Sequence, residues 1–272
     1  MNLKGASQGA PLLLLVPCSG IIRLISFVRC DVFEKLPLWL RKTLAWSVHL
    51  FTGTGAIWGF LTILAIFEEN WRAAIWWMII AMVVDGVDGM LARWFHVKEY
   101  ARNLDGALLD NMIDYINYVV VAAFILIKAP HLLPAGFSLA VAFSILLTSG
   151  YQFTQVDAKT DDESFFFKGF PSLWNFLVLY LMLLGFNPWV NLAILVACNI
   201  LVFVPVKYLY PTRNNRLRRL TLALTYLFGG IGVWGLIQYP DVPEWVISVS
   251  FLYLVYYALL SFFPKIGAIK SA

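Results

Sequence analysis

Two stretches decide the reading of this chain. They are Ala81-Met82-Val83-Val84-Asp85-Gly86-Val87-Asp88-Gly89-Met90-Leu91-Ala92-Arg93 and Asp105-Gly106-Ala107-Leu108-Leu109-Asp110-Asn111-Met112-Ile113-Asp114. The first closes an apolar run that begins at Trp71, and the second opens another that continues to Ile127. Asp85 and Asp88 are at i, i+3 and Asp110 and Asp114 at i, i+4, so each pair shares one helix face. Two antiparallel neighbouring helices joined by a short loop bring the two pairs together. A carboxylate at mid-bilayer costs about 2.5–3.5 kcal/mol on insertion scales, and less near the interface. Four of them at the ends of two apolar runs therefore point to a functional site.

Working outward, the same kind of run recurs. Apolar segments bounded by charges or by Pro/Gly breaks lie at 44–67, 71–91, 107–127, 132–153, 171–186, 188–206, 217–237 and 244–263. A helix needs about 20 residues to cross the hydrocarbon core, and most of these come near that length. The fifth and sixth are short and are joined by the turn signal Gly185-Phe186-Asn187-Pro188. Composition agrees: of 272 residues, 61% are hydrophobic and 13% charged, against about 45–50% and about 25% in soluble domains. That excludes an ordinary soluble domain and a disordered chain. Period-two alternation in ten-residue blocks is missing, which speaks against a membrane barrel. The net charge of +4 is small and sits beside apolar segments, so no nucleic-acid partner is expected. The expected fold is all-α: a polytopic integral membrane protein with about eight transmembrane helices.

Charge placement orients it. If the segment before the first run is cytoplasmic, 18 of the 20 lysines and arginines fall on that side, only Arg72 and Lys128 lying elsewhere. The positive-inside rule then supports eight spans with both termini cytoplasmic. Trp71, Trp189 and Trp245 fall at outer span ends, where an aromatic belt is expected. Residues 1–43 form an extension whose apolar part is broken by Pro17, Gly20 and Arg23 and is followed by no small-residue cleavage site. Its end, around Leu36–Leu44, reads as a short amphipathic helix on the membrane surface. The transmembrane domain then covers 44–264, and 265–272 form a cytoplasmic tail. Cys18, Cys30 and Cys198 are scattered and suggest neither a disulfide nor zinc. His49, His96 and His131 read as interface or loop residues.

Arg93 is the one cation close in sequence to the aspartates and cannot neutralise four carboxylates. A divalent metal is the natural solution, and oxygen-only ligands suit Mg²⁺, Mn²⁺ or Ca²⁺ rather than zinc. Four carboxylates can hold two metals, an arrangement that favours phosphoryl displacement. No calcium-loop spacing is present. Gly86 and Gly89 lie in a helical segment at a cost of about 1 kcal/mol each against Ala. Close helix packing would explain them; so would close approach of a nucleotide.

The pattern D-x-x-D-G-x-x-A-R followed by G-x-x-x-D-x-x-x-D, carried by Asp85, Asp88, Gly89, Ala92, Arg93, Gly106, Asp110 and Asp114, resembles the signature of the CDP-alcohol phosphatidyltransferases. Residues 94–105 make a spacer longer than the commoner one in that family. It resembles the bacterial phosphatidylcholine synthase branch, as do residues 166–175 and 204–213. The resemblance covers about residues 40–264. It implies transfer of a phosphatidyl group from CDP-diacylglycerol to choline, with release of CMP, at the inner face of a bacterial cytoplasmic (inner) membrane. It implies two divalent ions, Mn²⁺ or Mg²⁺, on Asp85, Asp88, Asp110 and Asp114, with Asp114 also the general base. Asp88, Gly89, Ala92, Arg93 and Gly106 would hold CDP-diacylglycerol, joined by Lys207 and Arg213. Choline binding calls for aromatic faces, and Tyr115, Tyr118, Phe167 and Trp174 are the candidates carried forward. Membrane lipids are further partners, and dimers are common in the resembling family, so a homodimer is among the expected assemblies.

Two other readings stand beside this one. The same fold could use serine, inositol phosphate or glycerol 3-phosphate as acceptor, with Lys207 and Arg213 facing the anion. A divalent-cation transporter would explain the carboxylates, but not the spacing of Gly89, Ala92, Arg93 and Gly106.

Overall fold

The computed structural model describes residues 33–155, 166–168, 170, 172–204, 207–209, 218–239 and 241–262. Its elements are α1 (Leu38–Phe67), α2 (Trp71–Trp94), α3 (Val97–Tyr100), α4 (Gly106–Asp114), a π-helical turn (Tyr115–Val120), α5 (Val121–Lys128), α6 (Ser138–Thr154), β1 (Phe166–Lys168), α7 (Trp174–Leu184), α8 (Pro188–Leu201), β2 (Lys207–Leu209), α9 (Arg218–Ile237) and α10 (Glu244–Phe262). α4, the π turn and α5 form one uninterrupted rod over Gly106–Lys128.

Among the described residues, four helices are long and apolar enough to cross a bilayer: α1, α2, the 106–128 rod and α9 over Leu220–Ile237. This is a membrane protein. The other four expected runs are helical too, but α6, α7 and α8 are only 17, 11 and 14 residues long. Segment 171–186 shortens because Trp174 is its first helical residue and Gly185, left-handed at φ 57°, stops it. Asn187 caps α8 from its side chain, and Pro188 takes the first helical position.

Two expectations need amendment. Leu38–Thr43 is not a separate surface helix but the start of α1, which runs unbroken for 30 residues from Pro37. Nothing between Pro37 and Leu50 interrupts an α-helix, whereas Pro37 itself has no N–H to donate to a preceding turn. The all-α reading also lacks one small feature: β1 and β2 pair antiparallel, with Phe167 opposite Tyr208. This ties the segment after α6 to the segment after α8 at one end of the bundle, and Phe170 N–H donating to Leu201 O adds to the tie.

The 106–128 rod is the axis. Half of its most apolar window is buried, against 11% for α9. Val119, Leu126, Ile145, Val178 and Leu195 bring the rod, α6, α7 and α8 into one core. α1 approaches the rod through Gly55 and Gly59: a Cβ on either would stand 2.6 Å from Ile113 or Asn117. Such a G-x-x-x-G step lets backbones approach closely in lipid, and Asn117 Nδ2 donates to Gly55 O at 3.1 Å across it. The buried Trp174 indole N–H is paired as well, donating to Ser149 Oγ at 2.7 Å. The outer surface is apolar, with Leu50, Leu147 and Leu252 at 75%, 76% and 68% exposure. That is the inverse of a soluble surface and fits a lipid solvent.

The spacer 94–105 has a definite fold. Phe95 ends α2, His96 turns the chain with φ 49°, and α3 adds one turn. Val97 and Ala101 pack on Ala45 and Val48 of α1. Arg41 donates to the Tyr100 hydroxyl at 3.1 Å. The extra length thus anchors the acidic motif to the start of α1.

Candidate active site

Asp85 and Asp88 occupy the last turns of α2, and Asp110 the middle of α4. One oxygen from each of the three lies within 4.8 Å of the others. Ligands on opposite sides of one hard cation stand about 4–5 Å apart for metal–oxygen distances of about 2.0–2.6 Å. The donor set therefore fits such a cation in both spacing and chemistry. Asp88 is buried, and Asp85 and Asp110 are half-buried. Three carboxylates converging away from bulk water repel one another strongly, so a bound cation would relieve the cluster. Asp114 is one turn further along the rod, at the junction between α4 and the π turn. It lies outside the three-carboxylate group.

Neighbouring helices steer these carboxylates. Thr52, buried on α1, is the hydrogen-bond partner of the Asp88 side chain. The Tyr118 hydroxyl donates to Asp85 Oδ2 at 2.6 Å. Asp105 accepts from the N–H groups of Ala107 and Leu108 and so starts α4, holding Asp110 at its set height. Short acceptor side chains, aspartate among them, make good helix starts for this reason.

The motif glycines divide by role. Nothing lies within 4 Å of a Cβ built on Gly86, and on Gly89 it would meet only the Arg93 guanidinium at 3.7 Å. These two are not packing glycines; they leave an open strip of backbone beside the carboxylates. Arg93 is exposed at the end of that strip. Gly106 is different, since a Cβ there would come within 2.8 Å of His49 Cε1. His49 is not in a loop: it is buried on α1 against α4's first residue. Ala92 packs toward the α1–α3 cluster.

The aromatic candidates separate as well. Tyr115 donates to Leu146 O at 2.8 Å and meets Phe153 edge-on. Tyr118 is buried against Phe176. Trp174, expected among the choline-facing rings, is fully buried between Phe170 and Ser149 and is a core residue here. Its large apolar surface outweighs its one polar atom, which Ser149 satisfies. Phe167 and Lys207 are placed only by the backbone of the ribbon, and Arg213 lies outside the described residues, as do the extension through residue 32 and the tail.

Sequence reasoning missed Thr52, the Tyr118–Asp85 bond and the α1 contact at Gly55 and Gly59. The G-x-x-x-G spacing in an apolar run was the available signal for the contact.

Comparison with known proteins agrees with this arrangement. Residues 48–206 match the model of the CDP-alcohol phosphatidyltransferase family. A phosphatidylcholine synthase of Legionella pneumophila is 40% identical over 225 residues, covering 80% of this chain and 88% of that protein. One from Legionella bozemanae is 38% identical, covering 75% and 96%. One from Rhizobium johnstonii is 35% identical, covering 82% and 93%. The matched span holds all eight motif residues together with Thr52 of α1, all of α2 and the whole rod, and the chain belongs to the CDP-alcohol phosphatidyltransferase family.

Proposed function

We propose that this chain is a phosphatidylcholine synthase, transferring the phosphatidyl group of CDP-diacylglycerol to choline and releasing CMP. The observation that carries the chemistry is the convergence of Asp85, Asp88 and Asp110 beside the open backbone strip at Gly86 and Gly89. The acceptor is drawn from the relatives, each named phosphatidylcholine synthase over most of the chain's length.

Asp85, Asp88, Asp110 and Asp114 would hold two divalent ions, Mn²⁺ or Mg²⁺. When bound, such ions neutralise a pyrophosphate and stabilise the departing phosphate. The chain's own groups do the rest. The open strip admits the CDP moiety to backbone at Gly89, with Asp88, Ala92, Arg93, Lys207 and Arg213 as its further contacts, while Gly106 seats α4 on His49. The choline hydroxyl oxygen attacks the phosphorus carrying the diacylglycerol, and the bond from that phosphorus to the CMP oxygen breaks. Asp114 accepts the hydroxyl proton. A base so placed contributes about 10²–10⁴-fold. Tyr115 and Phe167 remain candidates for the ammonium group, whose recognition asks for aromatic faces and no adjacent cation.

The site would lie at the cytoplasmic face of a bacterial inner membrane, with eight crossings and both termini inside. Supporting this, the chain reverses after each long helix, and strict alternation puts the carboxylates and both ribbon strands on one side. Lysines and arginines crowd that same side.

The deciding experiment is purified protein with CDP-diacylglycerol, Mn²⁺ and labelled choline, with serine, inositol phosphate and glycerol 3-phosphate in parallel. Choline incorporation matched by CMP release is expected. Incorporation of another acceptor would discard choline, and no CMP with any acceptor would reopen the transport reading.

A further inference from the structure

The rod that carries Asp110 and Asp114 changes its winding immediately after them. Asp110, Asp114 and Tyr118 follow at intervals of four. In an α-helix of 3.6 residues per turn, four residues overshoot a full turn by about 40°, so two such steps drift by about 80°. The first step, Asp110 to Asp114, is α-helical; the second falls in the π-helical turn Tyr115–Val120. An i→i+5 turn winds more slowly, which takes back drift and returns Tyr118 toward the face bearing Asp110. Its hydroxyl reaches across to α2 and donates to Asp85 Oδ2 at 2.6 Å, within the short range of a charge-assisted O–H···O⁻ bond. The ring is held behind it by Phe176 at 5.9 Å. Met78, Met82, Asn117 and Asn175 line the same small recess. Tyr118 is only 8% exposed.

We propose that Tyr118 is a positioning residue for the metal centre: the π turn sets its hydroxyl on Asp85 Oδ2 and thereby fixes the orientation of the Asp85 carboxylate that would hold a divalent ion. This rests on the metal-dependent reading above and replaces the role of choline-facing aromatic for this residue. A ring whose hydroxyl is bound to Asp85 and whose body is enclosed has no free face for an ammonium ion. Hydrogen-bond partners of metal ligands typically set 10–100-fold in metal affinity or activity, so loss of this single hydroxyl has a readable effect.

The test uses the full-length protein in detergent with Tyr118→Phe and Tyr118→Leu. Mn²⁺ binding is followed by electron paramagnetic resonance of the free ion. Thermal unfolding and the Mn²⁺ and choline dependence of turnover are measured alongside. Tyr118→Phe keeps the ring against Phe176 and removes only the donor. It is expected to weaken Mn²⁺ binding and raise the Mn²⁺ needed for half-maximal turnover by about 10-fold or more, with melting temperature and choline KM unchanged. Wild-type Mn²⁺ affinity in Tyr118→Phe would overturn the proposal. So would a Tyr118→Leu variant whose defect is confined to choline KM, since that marks a ring-face contact. Failure of the wild-type protein itself to bind Mn²⁺ would instead refute the metal-dependent reading on which the proposal stands.

Discussion

At the scale of single residues, the site separates groups that the fold leaves open from groups that hold the fold. Asp88 is buried between α1 and α2 and partnered by Thr52. Asp88→Asn keeps the size and a hydrogen-bonding oxygen but removes the charge. It should abolish CMP release while the protein still inserts and unfolds at a normal temperature; substantial turnover would contradict a metal role. Gly89 and Gly106 should respond oppositely to alanine. Gly89→Ala meets only a flexible guanidinium at 3.7 Å, so it should leave stability intact, or raise it slightly through helix propensity, while raising the KM for CDP-diacylglycerol. Gly106→Ala drives a methyl to within 2.8 Å of a buried imidazole and should cost about 1–3 kcal/mol, as overpacking commonly does. Thermal unfolding set against substrate KM separates the two. The eight motif positions were legible in the sequence because their spacing is local. Thr52 and His49 were not, because each acquires its meaning only from a helix distant in sequence.

At the scale of elements, α1 is the part whose role the sequence left least visible. It reads as an ordinary span, yet its Gly55–Gly59 face seats on Ile113 and Asn117 of the rod, one face of the helix that also brings Thr52 to Asp88. Gly55→Val or Gly59→Val should push the rod away and lower both stability and turnover. Gly53→Val, which meets nothing within 4 Å, should disturb neither, valine being if anything the slightly better helix former. Equal losses at all three positions would show that the face is not a seat. The rod itself was foreseen as one apolar run, but not its π turn. Nothing in Tyr115–Val120 marks a change of winding, since the packing of the rod against α1, α6 and α7 selects it. Span ends were legible where punctuation is strong, as at Asn187-Pro188, and misplaced at Leu38–Thr43, where no breaker separates surface helix from span.

At the scale of the whole molecule, the two outstanding quantities are the number of crossings and the dependence on metal. Single cysteines introduced near 69, 131 and 240 should label with a membrane-impermeant maleimide from outside intact cells, and those near 98 and 103 should not, since alternation puts them on opposite sides. Equal labelling at both sets would refute the orientation. EDTA should silence turnover, and Mn²⁺ or Mg²⁺ should restore it; indifference to chelation would remove the metal centre. The sequence by itself determined the membrane class, the helical architecture and the acidic motif. These depend on composition, on the length of apolar runs and on spacings within one helix, all local properties of the chain. Tertiary structure alone decided which three carboxylates converge, which glycines pack and which stay open, and which aromatic ring hydrogen-bonds one of those carboxylates. Those depend on the distance between residues such as Tyr118 and Asp85, 33 positions apart, and packing rather than sequence order sets that distance.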